Sequence, residues 1–175
     1  MSQQNRTVPG SVPVRVPPGL YTPAERARRD ASRWTLVQGV LAPVQFVVFL
    51  VSLVLVLRTL VTGEGLALAN ASFVVKTALL YTIMVTGCIW EKVVFGRWLF
   101  APAFFWEDVF SMLVLALHTA CLLALATDTM TPDSRLWLAL AAYAAYVVNA
   151  TQFLLKLRAA RLQADSGATR EAMAT

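Results

Sequence analysis

The chain has 175 residues, of which 58% are hydrophobic and 14% charged; an ordinary soluble domain is about 45–50% apolar and about 25% charged. Long uncharged runs make it a polytopic membrane protein rather than a soluble enzyme. The formal charge of +5 comes from bases that flank those runs. It therefore reads as a topology signal and excludes a nucleic-acid partner.

The first 20 residues ("TVPGSVPVRVPPG" among them) are polar and proline-rich and read as a disordered tail without a secretory signal. "YTPAERARRDASRW" follows as an amphipathic lead-in. Thr22 can cap it, Pro23 suits a first helical turn, and Glu25 adds negative charge there. Four apolar runs come next, and each is near the roughly 20 residues that cross a hydrocarbon core. They predict an all-α fold of four transmembrane helices at about 36–60, 69–91, 107–127 and 135–156. Lys156, Arg158 and Arg161 follow the last helix, and "DSGATREAMAT" reads as a flexible tail over 165–175. The folded unit is thus expected over residues 21–164.

Basic residues set the orientation. Arg26, Arg28, Arg29 and Arg33 precede helix 1, and Lys92 and Arg97 lie between helices 2 and 3. The other two loops are read as carrying only Arg58, Lys76 and Arg135. Both termini and the 92–106 loop are therefore expected in the cytoplasm.

Polar residues inside apolar helices carry the functional information, because lipid offers them no partners. Gln38, Gln45 and Ser52 recur every seven residues on one face of helix 1, beside Gly39 and Pro43. Tyr81, Cys88 and Glu91 share a broad face of helix 2. Glu107, Ser111 and His118 lie within about 40° of each other on helix 3, while Asp108 points about 100° away from Glu107 and suits a helix cap. Tyr146, Asn149, Gln152 and Lys156 share one side of helix 4. These stripes should meet in the cytoplasmic half of the bundle, with His118 deeper. "RWLFAPAFFWEDVF" places Trp98, Phe104, Phe105 and Trp106 just ahead of two acids, as an interfacial belt or a surface for a flat aromatic ligand. Cys88 and Cys121 read as small packing residues. The sequence holds no glycine-rich phosphate loop, no CxxC set, no HExxH and no nucleophile triad. Phosphoryl transfer, zinc hydrolysis and triad chemistry are thus unsupported, and the best reading is a site for a large, flat, amphiphilic molecule.

Three long segments then become informative together. "YTPAERARRDASRWTLVQGVLAPVQFVVFLVSLVLVLR", "VVKTALLYTIMVTGCIWEKVVFGRWLFAPAFFWEDVFSMLVLALHTA" and "YVVNATQFLLKLRAARLQA" closely resemble the 3-vinyl bacteriochlorophyllide hydratase family, also called the 2-vinyl hydratase. The resemblance spans about Tyr21–Ala164. It implies a multi-pass hydro-lyase of the bacterial inner or intracytoplasmic membrane. That enzyme adds water across the 3-vinyl group of a chlorophyllide to give a 3-(1-hydroxyethyl) product in bacteriochlorophyll a synthesis.

Under that reaction the acids acquire expected roles. Hydration of an alkene needs a proton donor, a placed water and a base. Glu107 is expected as the acid, with Asp108 or Glu91 accepting the water's proton. His118 is a candidate ligand for the substrate's own magnesium, and no other metal or cofactor is expected. Trp98, Phe104, Phe105 and Trp106 would pack on the ring, Arg97 or Lys92 would pair with its free propionate, and Ser111, Gln38, Gln45, Asn149 and Gln152 would line the site. Expected partners are the chlorophyllide, membrane lipid, neighbouring enzymes of the same synthesis and a second copy of the chain. A non-catalytic pigment-binding or assembly subunit and a small transporter are the competing classes.

Overall fold

Thr22 opens the structure as a capping box. Its hydroxyl accepts from the Glu25 N–H, and the Glu25 carboxylate accepts from the Thr22 N–H at 2.7 Å. The computed structural model describes the backbone of residues 20–174 and the side chains of residues 20–162, so the expected N-terminal tail lies outside the described residues save Leu20. Helix α1 spans Pro23–Ala31, α2 Arg33–Thr62, α3 Leu66–Phe95, α4 Phe105–Thr127 and α5 Pro132–Ala174, with no strand among the described residues. Four of them are long and apolar enough to cross a membrane. Helix α5 is helical on to Ala174, past the Ala164 boundary drawn from sequence.

Each helix stops for a local reason. Gly63 ends α2 and Gly96 ends α3 in the left-handed conformation, and their N–H groups return to the Thr59 and Lys92 carbonyls. Short connections then make α2–α3 and α4–α5 two antiparallel hairpins, and these pairs have the most extensive contacts in the fold. On α2, Gln45, Ser52 and Thr59 are buried at seven-residue intervals, while Val40, Val47, Val54 and Val61 point outward. The polar stripe therefore faces the bundle and the valines face outward, as a seven-residue inward repeat requires.

The core has two parts. The larger holds Phe49, Phe73, Leu80, Val114, Leu136 and Tyr143 toward the Gly63 end, where Tyr143 and Ser72 both hydrogen-bond Ser52. The smaller packs Tyr21, Val94 and Phe104 at the opposite end. Arg28 ties α1 to α3 there, donating through Nε to the Val94 carbonyl at 2.8 Å.

One charge is not where the sequence reading put it. Lys76 lies within α3, not in a loop, and is fully buried, with Nζ 3.8 Å from the centroid of the Tyr146 ring. Among the described residues that nitrogen has no hydrogen-bond partner. The cation is stabilised by the ring quadrupole instead.

Candidate active site between the two hairpins

The polar stripes of all four long helices converge on one cavity of about 870 Å³, near the upper end of the roughly 300–1,000 Å³ of ligand pockets. Small residues make the room. Gly39, Ala42 and Pro43 line it from α2 and Gly87 from α3, and a side chain added at Gly39 would meet nothing within 4 Å. Leu80, Leu115 and Tyr146 lie at its inner end, and Leu20, Tyr21, Arg26, Arg29 and Arg161 border it at the α1 end. From Tyr146 to Arg161 the rise along α5 is about 22 Å at 1.5 Å per residue.

Two carboxyl groups share its wall. Glu91 stands near the end of α3 and Asp108 in the first turn of α4, and both are buried. Both line the same cavity from different helices. Each also holds the loop that connects its helices. Asp108 Oδ2 accepts from the Phe100 N–H at 2.8 Å, and Glu91 Oε2 accepts from the Ala101 N–H at 3.2 Å. Phe100 sits at φ 57°, a conformation that non-glycine residues seldom adopt. The loop is thus drawn back over the acids, and Ala101 is fully buried beneath it.

Beside the acids lies an aromatic wall. Phe104 packs edge-on against Trp90 at 5.6 Å and stacks with Phe153 at 5.8 Å, and Tyr21 tilts against it at 6.3 Å. Gln38 donates to Thr86 at 2.7 Å, and Asn149 donates to Ser111 at 2.9 Å. Gln45 Nε2 and Asn149 Oδ1 are buried without a partner among the described residues, which leaves one donor and one acceptor for a bound molecule.

The structure brings Glu91, Asp108, Ser111, Phe104, Gln38, Gln45 and Asn149 to this cavity. It leaves the other expected residues off its wall. Glu107 turns toward α5 and pairs with Lys156 at 2.6 Å, so the cavity-lining face of α4 runs through Asp108, Ser111 and Leu115 instead of Glu107, Ser111 and His118. His118 is fully buried in the larger core, stacked on Phe73 at 5.4 Å with Nδ1 on the Val114 carbonyl at 2.8 Å. Its position does not fit a ligand to a magnesium in the cavity. Trp98, Phe105 and Trp106 are exposed, as an interfacial belt would be. Arg97 is exposed outside the cavity, Lys92 donates to the Gly96 carbonyl at 2.9 Å, and Gln152 is part-buried beside the site without lining it.

Sequence reasoning missed Tyr21, Trp90 and Phe153 as wall residues, and Arg26, Arg29 and Arg161 as its rim. Phe153 had a signal, since it falls seven residues after Tyr146 and four after Asn149 on the same stripe. Trp90 beside Glu91 had a weaker one. Tyr21 had none, because its place depends on how α1 folds back on α3. Among the described residues no group of three metal-binding side chains occurs.

A family model described as 2-vinyl bacteriochlorophyllide hydratase matches residues 21–159. A 2-vinyl bacteriochlorophyllide hydratase of Rhodobacter capsulatus is 68% identical over 148 residues, covering 84% of this chain and 85% of that protein. One from Cereibacter sphaeroides is 67% identical over 147 residues, covering 84% and 91%. No solved structure matches the chain.

Proposed function

The chain belongs to the 2-vinyl bacteriochlorophyllide hydratase family, and from that premise we propose how this hydro-lyase of bacteriochlorophyll synthesis binds its pigment and adds water. The observation that carries the proposal is the two buried carboxyl groups, Glu91 and Asp108, in the wall of the cavity on which all four long helices converge.

The macrocycle lies in the cavity against Phe104, Trp90 and Phe153, with its vinyl group at the acid pair. One of the two acids, held protonated, gives its proton to the terminal CH2. The π bond breaks and a cation forms on the carbon joined to the ring, which delocalises it. The acids, now carrying one more negative charge, stabilise that cation and take a proton from the attacking water. One C–H and one C–O bond form, and the proton returns to the pair. The step is redox-neutral and calls for no cofactor beyond the substrate's own magnesium. Two carboxyls on one cavity wall suit the task, since one can hold the proton that the other takes back.

Glu107 has a different part in this scheme. With Lys156 it forms an ion pair that fixes the start of α4 against α5 and so orients Asp108. The α1 end of the bundle, the 96–104 loop and both termini face the cytoplasm. With Lys76 inside α3, the opposite side keeps only Arg58 and Arg135 of the bases noted there, which supports that orientation.

The test is to express the chain in a bacterial host that makes no chlorophyll and to supply chlorophyllide a to its membranes. The expected product is a more polar pigment, heavier by one water on mass spectrometry and absent when both acids are replaced by amides. Pigment recovered unchanged from the wild-type membranes would overturn the reading.

A further inference from the structure

We propose that Arg26 and Arg161 form a carboxylate-binding rim that selects the free acid of the pigment over its esters. The inference rests on the reading of the cavity as the pigment site and adds a specificity determinant to it.

Three arginines border the cavity at the end where α1 packs on α3. They are not equivalent. Arg29 is already committed, bonding Asp30 at 2.7 Å and covering the Tyr21 ring at 4.7 Å. Neighbouring Arg28 donates to Val94 and does not reach the cavity. Arg26 and Arg161 line the cavity from opposite elements, and neither has a carboxylate partner among the described residues. The acids inside the cavity accept from the Phe100 and Ala101 N–H groups, and Asp30 beside the rim is held by Arg29. The rim is therefore a net cationic opening onto an apolar chamber. Guanidinium groups bind carboxylates through paired N–H donors, and such bonds are stronger than neutral ones. A flat ring held by an acid pair inside and by a carboxylate arm at the rim is fixed at two points, so its vinyl group meets the proton in one register.

The identity of the anion distinguishes this proposal from a generic membrane effect, because the same arginines facing a bilayer would also attract lipid phosphate. The experiment therefore uses nanodiscs of phosphatidylcholine alone, which carry no net headgroup charge. Chlorophyllide a and its methyl ester are compared as substrates by KM and kcat, and as ligands by fluorescence titration. Wild type should prefer the free acid. Arg26→Gln with Arg161→Gln should reduce that acid-over-ester preference by about tenfold or more, the scale of one charge-assisted hydrogen bond. The loss should appear chiefly in KM, with a smaller fall in kcat from the lost register. Arg26→Lys with Arg161→Lys should recover part of it, and Arg158→Gln, outside the cavity, should keep the wild-type preference. Equal use of acid and ester by the wild type would overturn the inference, as would a loss in the glutamine variant that is the same for both pigments. If neither pigment is hydrated, the catalytic reading fails, and the fluorescence titration alone still decides whether these arginines read the carboxylate.

Discussion

Replacing each of the three acids at the α3–α4 end by its amide separates chemistry from architecture. Glu91→Gln and Asp108→Asn keep an oxygen where the Ala101 and Phe100 N–H groups need an acceptor, so the loop anchors survive. What is lost is the exchangeable proton. A positioned general acid or base contributes about 10²–10⁴-fold, or about 2.7–5.5 kcal/mol of barrier. Either amide should therefore lower kcat by about two to four orders of magnitude with little change in melting temperature. Glu91→Ala should be worse in a second way. It leaves the fully buried Ala101 N–H without a partner, a loss of about 1–3 kcal/mol of stability. Glu107→Gln should show the opposite pattern. Its Lys156 partner is 26% exposed, so water can take over part of the pairing, and turnover per folded molecule should fall less than about tenfold while the protein becomes less stable. Membranes carrying each variant are incubated with chlorophyllide a, and product is counted by chromatography against protein that still runs as a folded species in detergent. The reasoning is refuted if Glu107→Gln abolishes turnover at normal pigment binding while Glu91→Gln and Asp108→Asn keep most of theirs.

Gly39→Ala should retain pigment binding and stabilise α2 by about 0.5–1 kcal/mol, because its Cβ enters open space and a helical glycine is replaced; Gly39→Phe should fill the chamber and abolish binding, as fluorescence titration would show. Lys76→Met should raise the melting temperature in detergent, since it removes a fully buried ammonium group whose contact with Tyr146 does not replace hydration; a lower melting temperature would contradict this. Backbone and side-chain hydrogen bonds from Thr22 hold the Glu25 carboxyl below its usual range. Its contribution is therefore fully present above the ordinary carboxylate range and is lost as pH falls through the depressed value. The protection factors of the Glu25 and Arg26 amides, both bonded to Thr22, should fall on acidification, and Glu25→Gln should flatten that dependence.

The four long helices were legible because the lipid-facing side of each is uninterrupted, and a twenty-residue apolar run has few alternatives. The convergence of polar stripes was legible too, since Gln45, Ser52 and Asn149 recur at helical intervals. The acid assignment was not. On a wheel Glu107 aligns with Ser111 and His118, and Asp108 looks like a cap. The rotation of α4 is set by packing that the wheel does not contain, namely the reach of Lys156 from α5 and the return of the 96–104 loop onto Asp108. His118 misled for a related reason. A polar residue at mid-membrane reads as functional, yet its Nδ1 is satisfied one turn back on its own helix. Lys76 was counted with the loop bases although it falls inside the helix drawn over 69–91, because a lone lysine in an apolar run reads as a flank rather than a buried group. The arginine rim depends on α1 folding back over the bundle, a tertiary event that short amphipathic segments do not announce.

Glu91 belongs to the first hairpin and Asp108 to the second. Neither hairpin alone contains the pair. If the hairpins enter the membrane in turn, each acid first stands singly at a helix end within reach of water. Their meeting brings both carboxyls to one cavity and anchors the loop on them in one event. On the proposed mechanism, assembly of the bundle is thus the arming of the enzyme. A partly inserted chain would carry an acid but no acid–base couple, and would not act on a reactive pigment before the chamber that shields it exists.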